Sequence, residues 1–357
     1  MAEKVLMAMS GGVDSTAAAI LLRDGGYEVT GVTFGVAGGS GLPACAASSR
    51  ASAEAARESA EALGITHVTA DLTDAFGMEV LEPFRRGYLE GSTPNPCVAC
   101  NRAVKFGALW RWASANGILF DRFATGHYAG IGVAPDGKPA LLRAADRRKD
   151  QSYFLAMVDR VKLAGTLLPL SGMTKSEAVG LVGARGLRRT AGRAESQDFA
   201  GPGGLPALLG PRAARSGDIV YIDGTVLGRH RGCALFTPGQ RHGLDIGGRR
   251  EPLYVIRTDP STSTVTVGPR EEAMCTALEA GSMNWLAWDA PPSSFVASAM
   301  IRSTGGEVSV EVRSLDAKGS TVEAVFRRPV FAAAPGQYLV LYSGGTVLGA
   351  GVIRRSR

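Results

Sequence analysis

Residues 10–15 read SGGVDS, a glycine-rich stretch that directly follows the apolar run KVLMAM of residues 4–9. Residues 16–23 then have the composition of a helix, and the Gly-Gly pair at residues 25–26 stops it. A strand, a glycine turn and a helix in succession favour an anion site, because glycines let backbone N–H groups approach a phosphate and the helix N-terminus adds its positive dipole end. The stretch predicts an α/β fold with a phosphate-binding loop after its first strand.

The polar side chains of this loop suit a polyphosphate. Ser10 and Ser15 add hydroxyl donors, and Asp14 is a candidate ligand for a bridging Mg²⁺ ion. The loop is not of the Walker A type, because the ending Gly-Lys-Ser or Gly-Lys-Thr is missing. A glycine turn that binds nothing is the alternative, and the position directly after a first strand argues against it.

Strands and helices alternate along the first half of the chain. Beyond the loop, strands are predicted at residues 27–36, 67–71 and 121–125, and helices at residues 49–63, 75–90 and 98–115. This alternation predicts a parallel sheet with helices on both faces.

Past about residue 185 the alternation weakens, and residues 201–210, rich in Gly and Pro, read as a linker or lid. Short β-like runs follow at residues 218–222, 253–257, 265–267, 308–312, 322–326, 338–342 and 346–353. Three domains are therefore predicted: an α/β domain (1–200), a linker with a small β-rich domain (201–277), and a β-barrel (278–357).

Composition narrows the class of protein. Of 357 residues, 45% are hydrophobic and 20% charged, which excludes a largely disordered chain. No apolar run approaches the roughly 20 residues of a transmembrane helix, and no signal-peptide layout is present, so we expect a cytoplasmic protein without membrane contact. The formal charge of +6 permits a nucleic-acid partner without establishing one.

The five cysteines point away from a disulfide framework, which is rare in the cytosol. Cys97 and Cys100 form a Cys-x-x-Cys pair, whereas Cys45, Cys233 and Cys275 stand apart. An odd number of cysteines with one such pair indicates redox or metal chemistry.

The loop SGGVDS resembles the pyrophosphate loop of the N-type ATP pyrophosphatases, which activate a carbonyl oxygen by adenylation and release pyrophosphate. Further motifs resemble one family of that group, the tRNA-specific 2-thiouridylases, which replace O2 of the wobble uridine with sulfur. They are GSTPNPCVACN (91–101), ATGHY (124–128), KDQSYFL (149–155), ESQD (195–198), FTPGQRHGL (236–244) and PGQ (335–337). The resemblance implies a catalytic domain of the pyrophosphatase type followed by a tRNA-contacting barrel.

The resemblance also implies ATP, Mg²⁺, tRNA and a sulfur donor. Positions that match the family's nucleotide contacts are Ala8, Met9, Ser10, Gly11, Gly12, Val13, Asp14, Ser15, Phe34 and Gly126. Positions that match its tRNA contacts are Asn95, Pro96, Cys97, Lys149, Asp150, Gln151 and Arg302. Cys100 matches the nucleophilic cysteine, and Cys97 and Asp14 complete the predicted catalytic set.

Local physical reasons support two of these roles. Pro94 and Pro96 stiffen the loop at residues 93–96, which suits a loop that holds a flipped base beside a cysteine. Cys100 is expected in the first turn of the next helix, where the positive dipole end favours a thiolate. A buried structural cysteine is the alternative for Cys100.

Other positions also have a structural alternative. Phe34 reads equally well as strand core, and His127 is as often structural as catalytic. Residues 149–151 read, without the family, as a solvated charge cluster with Arg147 and Arg148.

The chain departs from the family at its cysteines. Many members carry a second catalytic cysteine in the sequence Glu-Ser-Gln-Asp-x-Cys, and Ala200 stands in that place here. Cys97 occupies a position that many relatives fill with Asp. The family's persulfide-disulfide mechanism therefore cannot be copied unchanged.

Two sulfur chemistries remain open. Cys45 follows the second strand and is expected at the same carboxyl edge of the sheet as Cys97 and Cys100, so the three thiolates could hold a 4Fe-4S iron-sulfur cluster whose open iron carries hydrosulfide. Alternatively, Cys97 and Cys100 act as a dithiol in which one residue carries a persulfide and the other resolves it. A structural zinc site is a third interpretation.

Two other functions are rivals. Another pyrophosphatase of this superfamily would adenylate a metabolite and use ammonia, with no need of Cys97 and Cys100. A tRNA-binding protein that has lost catalysis is suggested by Ala200, and it would bind tRNA without releasing pyrophosphate from ATP.

Overall fold

The computed structural model describes residues 2–36, 49–134, 136–192, 199, 204–247 and 251–357. The chain divides into two compact units. The first comprises Met1–Val80, Cys97–Gly201 and Gly345–Val347, and the second comprises Leu81–Pro96, Pro202–Gly344 and Leu348–Arg357. The predicted division into three domains is finer than this one and stays a prediction.

Seven strands lie in the described part of the first unit. They are β1 (Lys4–Ala8), β2 (Glu28–Gly35), β3 (Thr66–Asp71), β4 (Arg122–Thr125), β5 (Ala129–Val133), β6 (Pro139–Arg143) and β7 (Thr166–Leu167). Five of them form a parallel sheet in the order β3-β2-β1-β4-β7, while β5 and β6 form an antiparallel hairpin. The predicted parallel sheet is confirmed.

β1 is central because it is apolar on both faces. Val5 pairs with Val29 of β2 on one side and with Arg122 of β4 on the other, and Leu6 and Met7 are fully buried. The chain leaves β1 towards β2 and β3, then returns to β4 on the opposite side. Ligands of open α/β sheets bind outside the carboxyl ends of the strands at such a reversal, so the fold points to the ends of β1 and β4.

The α-helices are α1 (Val13–Asp24), α2 (Arg50–Ala62), α3 (Thr73–Phe76), α4 (Glu82–Leu89), α5 (Pro96–Ala99), α6 (Leu109–Ala115), α7 (Ser152–Leu155), α8 (Arg160–Ala164), α9 (Lys175–Ala184), α10 (Arg188–Ala191) and α11 (Gly204–Leu209). α1 packs through small side chains, since Ala17, Ala18 and Ala19 are fully buried in the core that includes β1. No helix among the described residues is long and apolar enough to cross a membrane.

Helices are present where they were predicted at residues 75–90 and 98–115, and each contains a π-helical segment, Gly77–Leu81 or Cys100–Ala108, which no sequence pattern announced. Two finer expectations are wrong. The second of these helical runs begins at Pro96, because proline is well suited to a first helical position. Cys100 therefore follows the first turn instead of lying in it. Residues 204–209 of the predicted linker form α11, and residues 201–203 lie outside the described residues.

The second unit contains a small sheet. Its strands are β8 (Gly217–Tyr221), β9 (Val226–His230), β10 (Tyr254–Asp259) and β11 (Thr264–Gly268), in the order β10-β11-β8-β9. Ile219, Val255, Val265 and Val267 form its buried core.

Six further strands form a closed barrel. They are β12 (Met274–Trp285), β13 (Ser294–Met300), β14 (Val308–Ser314), β15 (Thr321–Phe331), β16 (Tyr338–Ser343) and β17 (Thr346–Ser356). They follow the order β12-β15-β14-β13-β16-β17, and β12 also pairs with β17 to close the ring. In β15 the buried Val322, Ala324 and Phe326 alternate with less buried neighbours, as expected of a strand with one face inside. The predicted β-barrel is confirmed.

Candidate active site

The loop between β1 and α1 has the backbone geometry of an anion cradle. Gly11 has φ +70°, and a Cβ atom on it would lie 2.6 Å from the carbonyl oxygen of Ser52, so only glycine fits there. Gly12 is the N-cap residue of α1 and has an extended backbone conformation. Because glycine has no side chain, Gly12 makes no side-chain hydrogen bond to the first turn of the helix. The first N–H groups of a helix have no partner within the helix, and here they lie beside the glycine loop.

The hydroxyl groups of Ser10 and Ser15 face into the loop. Ser15 Oγ donates to the carbonyl of Gly12 (3.1 Å) and accepts from Ser10 N (3.1 Å), and the two hydroxyl oxygens lie 3.3 Å apart. A hydroxyl carries one proton, so Ser15 has none left for an outside acceptor while this bond persists. These bonds hold the two hydroxyls in the loop, and their contacts with a ligand stay predictions.

Asp14 is held by two donors on one oxygen. Lys175 Nζ lies 2.6 Å and Tyr128 OH lies 2.9 Å from Asp14 Oδ1. Among the described residues Oδ2 has no hydrogen-bond partner, and the Asp14 side chain is 29% exposed. A fixed carboxylate with one outward oxygen suits a hard cation such as Mg²⁺.

Lys175 is a site residue that sequence reasoning missed. It is the first residue of α9, whose N-cap Thr174 forms a reciprocal capping box with Glu177. The pattern Thr-x-x-Glu does mark a helix start in the sequence. Because 161 residues separate Lys175 from Asp14, only the fold brings the two together.

Gly126 follows β4 and lies against the start of α1. A Cβ atom at Gly126 would lie 2.7 Å from both the carbonyl carbon of Asp14 and the nitrogen of Ser15, so no side chain fits. This predicted nucleotide position therefore has a packing reason to be glycine, and it lies at the edge that the strand order indicates.

His127 comes next in the chain. Its Nδ1 lies 2.8 Å from Thr125 Oγ1. Burial of the ring lowers the pKa of His127 well below its ordinary value, and the positive charge of Lys105 lowers it further. The ring is therefore neutral near pH 7, and it can exchange hydrogen bonds but supplies no positive charge.

Ala8, Met9 and Phe34 lie where β1 and β2 end. Met9 N donates to Val32 O (2.8 Å), and Thr33 Oγ1 donates to Met9 O (2.7 Å). Phe34 is 7% exposed, which agrees with a role in the strand core. The nucleotide contacts of these three residues stay predictions.

Cys97 and Cys100 lie on one helical run. Cys97 belongs to α5 and is exposed, whereas Cys100 begins the π-helical segment Cys100–Ala108 and is buried. Residues three apart on a helix are neighbours on its surface, and π-helical segments are frequent at functional sites. The pair thus offers one thiol to solvent and one to the interior.

Asn101 is a neighbour of Cys100 that carries an unpaired acceptor. It is 2% exposed, and its Nδ2 donates to Phe154 O (3.0 Å) in α7. Within the described part of the chain, Asn101 Oδ1 has no hydrogen-bond partner. A buried acceptor without a partner is costly, so this oxygen is a candidate contact for a donor group of a bound ligand.

Some predicted positions lie outside the described residues, namely Cys45, residues 195–198 and Ala200. Among the residues that are described, no group of three or more His, Cys, Asp or Glu side chains could hold a metal ion. The described chain supplies two of the three thiols of the predicted cluster, and these two alone do not make a metal site.

The proline loop at residues 93–96 belongs to the second unit, where the PGQ motif holds it. Thr93 N donates to Pro335 O (2.7 Å), and Gln337 Nε2 donates to Thr93 O (2.7 Å). Gly336, with φ +89°, approaches so closely that a Cβ atom would lie 2.9 Å from Thr93 N. Two motifs that are 244 residues apart at Thr93 and Gln337 therefore form one structure, and it carries the predicted tRNA positions of this loop.

Asp150 is an internal anchor. Its Oδ1 accepts from Ala144 N (3.0 Å) and Ser152 N (3.2 Å), and its Oδ2 accepts from Ser152 Oγ (2.9 Å). Arg143 Nη1 lies 3.5 Å from Oδ2, and both side chains are 7% exposed. The alternative of a solvated charge cluster is wrong for Asp150, which fixes the shape of the loop before α7.

Lys149 and Gln151 flank this anchor. Gln151 exchanges two hydrogen bonds with the main chain of Tyr128, at 3.0 Å and 2.7 Å. Lys149 is partly exposed, and Arg147 and Arg148 before it are exposed. The structure thus brings an exposed basic loop next to two internally bonded residues.

Arg302 lies in the second unit. Its Nη2 donates to Phe331 O of β15 (2.9 Å), and its guanidinium carbon lies 5.9 Å from the centre of the Phe331 ring. The side chain is half-buried, and its contact with tRNA stays a prediction.

Family models match three successive parts of the chain. The tRNA methyl transferase HUP domain matches residues 3–200, the tRNA methyl transferase PRC-barrel domain matches residues 208–269, and the Aminomethyltransferase beta-barrel domain matches residues 275–353. These ranges follow the parallel sheet, the small sheet and the closed barrel.

Curated relatives match nearly the whole chain. The tRNA-specific 2-thiouridylase MnmA of Picosynechococcus sp. (strain ATCC 27264 / PCC 7002 / PR-6) is 41% identical over 355 residues, which cover 98% of each chain. That of Microcystis aeruginosa (strain NIES-843 / IAM M-2473) is 39% identical over 355 residues, again 98% of each chain. That of Roseiflexus castenholzii (strain DSM 13941 / HLO8) is 40% identical over 374 residues, 99% of each chain.

Proposed function

This chain belongs to the family of tRNA-specific 2-thiouridylases, and on that premise we propose that it replaces O2 of the wobble uridine of tRNA with sulfur in a reaction that consumes ATP. The observation that carries the proposal is an intact phosphate loop at the carboxyl end of β1 in a chain that matches these relatives over 98% of its length. The protein is then a tRNA-uridine 2-sulfurtransferase that acts in the cytoplasm.

The first step is adenylation of the base. Uridine O2 attacks the α-phosphorus of ATP, the α–β bond breaks, and pyrophosphate leaves. The backbone N–H groups of the glycine loop and the start of α1 bind the polyphosphate. Asp14 Oδ2 would hold a Mg²⁺ ion, which neutralises charge on the leaving pyrophosphate. Lys175, 2.6 Å from Asp14 Oδ1, supplies a second positive charge at the same place.

The second step replaces oxygen by sulfur. A sulfur nucleophile attacks C2 of the adenylated uridine, and AMP leaves with the original O2. In a dithiol route, the terminal sulfur of a persulfide on one cysteine makes this attack. The other cysteine then breaks the sulfur–sulfur bond, which releases 2-thiouridine and leaves a Cys97–Cys100 disulfide for a thiol reductant to open. The exposed Cys97 and the buried Cys100 support this division of labour.

A cluster route uses the same thiols and one more. A 4Fe-4S iron-sulfur cluster on Cys45, Cys97 and Cys100 would supply the sulfur as hydrosulfide. Cys45 lies outside the described residues, so an experiment must decide whether this third thiol takes part in the sulfur transfer.

We assign tRNA binding to exposed basic residues and to the stiff proline loop. The proline loop with Asn95 and Pro96 suits an extruded base, and the basic residues before α7 suit the RNA backbone. Arg302 is the proposed contact of the barrel.

The function is tested on tRNA transcripts with an unmodified wobble uridine. Protein, Mg²⁺, ATP and a sulfur source are incubated with the transcript, and the digested nucleosides are analysed by mass spectrometry. We expect 2-thiouridine together with pyrophosphate release, and the loss of both in Asp14→Asn. A methylated base, or pyrophosphate release that needs a metabolite and ammonia in place of tRNA, contradicts the proposal. Tight tRNA binding without pyrophosphate release indicates a homologue without catalysis.

The sulfur route is tested by iron content and by Cys45. Iron and acid-labile sulfide are measured in anaerobically purified protein, and 2-thiouridine formation is compared in Cys45→Ala and in Cys233→Ala as the control. The cluster route requires iron and a loss of activity in Cys45→Ala only. The dithiol route requires full activity without iron and tolerance of Cys45→Ala.

A further inference from the structure

Tyr128 joins the phosphate loop to the segment before α7. Its phenol oxygen lies 2.9 Å from Asp14 Oδ1, and the phenol is the donor because an ionised carboxylate only accepts. Tyr128 N donates to Gln151 Oε1 (3.0 Å), and Gln151 N donates to Tyr128 O (2.7 Å). Tyr128 thus joins Asp14, through its side chain, to Gln151, through its main chain, and we call these three residues the relay.

The relay has little freedom to rearrange at one end alone. Tyr128 is 1% exposed and belongs to the core that includes α1 and β1. A buried polar group that loses its partner bears its full desolvation penalty. A displacement of Gln151 is therefore passed on to Asp14 and is not absorbed at Tyr128.

The outer end of the relay adjoins exposed positive charge. Residues 144–150, the arginine loop, carry the exposed Arg147 and Arg148 and end at the anchored Asp150. Gln151 follows directly. An RNA phosphate bound by these arginines acts on the loop, and through the anchored Asp150 on the position of Gln151.

We propose that Tyr128 and Gln151 are positioning residues that make tRNA and ATP bind cooperatively. The inference rests on the proposed function, because it requires tRNA at the arginine loop and ATP at the phosphate loop. A ligand that stabilises one position of the relay at either end stabilises the same position at the other end, so the second ligand meets a site that the first has already set. By linkage, tRNA tightens ATP binding by the same factor by which ATP tightens tRNA binding.

Titration calorimetry measures this coupling on the full chain. The probe is α,β-methylene ATP with Mg²⁺, because its α–β bond cannot be cleaved, and it is titrated with and without a saturating tRNA transcript. In the wild type the tRNA is expected to lower the Kd by about 5-fold or more. In Tyr128→Phe, which loses only the hydroxyl, the two Kd values are expected to agree within about 2-fold. Tyr27→Phe, the same change before the amino end of β2, is expected to keep the wild-type coupling.

Variants of Gln151 distinguish coupling through the relay from a general effect of packing on ligand binding. Gln151→Glu keeps an acceptor for Tyr128 N, whereas Gln151→Met has a similar size and no acceptor. The Glu variant is expected to keep the coupling factor, although its charge weakens tRNA binding itself, and the Met variant is expected to lose it. Urea unfolding checks that each variant is folded, and the Gln151 pair still decides the question if Tyr128→Phe does not fold.

Wild-type coupling in Tyr128→Phe or in Gln151→Met overturns the inference. Independent binding of the two ligands to the wild type overturns it as well. Failure of the proposed function has a different signature, because the wild type then binds no tRNA or forms no 2-thiouridine, and the inference falls with it.

Discussion

At the scale of single residues, the ion pair of Asp14 and Lys175 sets the charge beside the phosphate loop. The side chains are 29% and 22% exposed, so water screens the pair only in part. Before a ligand binds, Lys175 neutralises Asp14. When a polyphosphate reaches the loop, the same ammonium group lies next to the incoming negative charge.

Lys175→Met should therefore weaken nucleotide binding. Loss of a charge-assisted hydrogen bond of about 1.5–3 kcal/mol corresponds to a rise in Kd of roughly 10- to 150-fold. Calorimetry with α,β-methylene ATP and Mg²⁺ measures it. Lys4→Met, at the opposite end of β1 in an exposed pair with Glu28, is the matched control and should leave the Kd unchanged. Equal Kd values in the two variants would argue against a role of Lys175 at the phosphate.

His127 predicts a pH dependence of stability. Burial, and after it the charge of Lys105, holds the pKa of His127 well below 6.5 in the folded chain. Below pH 6.5 the unfolded chain binds a proton that the folded chain does not, so the free energy of unfolding falls as the pH falls. His127→Gln should reduce this slope by up to about 1.4 kcal/mol per pH unit. Urea unfolding at pH 5.5 and 7.5 measures both slopes, and equal slopes would contradict the expectation.

At the scale of elements, the proline loop depends on a segment that is far from it in the chain. The proline loop is held by the turn between β15 and β16, through Gln337 and Pro335. Two prolines fix much of the backbone by themselves, but they do not fix where the loop lies. The bond from Gln337 to Thr93 does so.

Gln337→Leu should loosen this loop. It leaves the buried Thr93 carbonyl without its donor, at a cost of about 1–3 kcal/mol in the free energy of unfolding. Urea unfolding measures the loss, and hydrogen exchange at residues 91–96 locates it. Asn116→Leu removes a similar amide bond to Trp112 O at an exposed site, so it should cost much less. A loss no greater than that of Asn116→Leu would show that the bond does not hold the loop.

At the scale of the whole molecule, the formal charge of +6 is small, so its placement matters more than its size. Many arginines are neutralised by ion pairs, such as Arg185 with Asp24 and Arg160 with Asp136. The arginine loop, by contrast, presents two exposed cations beside an anchored backbone.

Salt dependence of tRNA binding tests this placement. Arg147→Ala and Arg148→Ala should each reduce the slope of log K against log salt by about 1, and weaken binding to all tRNA sequences alike. Arg50→Ala is the control, since Arg50 is 94% exposed and pairs with Glu54 on α2. A slope that changes equally in all three variants would assign binding to net charge alone.

Much of the fold could be predicted because its signals lie within short continuous stretches of the sequence. The parallel sheet follows from alternating strands and helices, and the phosphate loop from six consecutive residues. β12 was not predicted, because its sequence MCTALEAGSMNW has few residues that favour strands and pairing with β15 and β17 decides its conformation. Lys175, Tyr128 and the contact of Gln337 with Thr93 were missed because they depend on chain segments brought together only by folding.

Closure of the barrel through β12 and β17 also bears on how the chain is made. Until the ribosome has added residues 346–356, the preceding strands have two open edges, which offer unpaired backbone groups to neighbouring chains. The parallel sheet takes all five strands from residues before 168, so it can assemble earlier. The incomplete barrel is thus open to aggregation until β17 pairs with β12 and closes the ring.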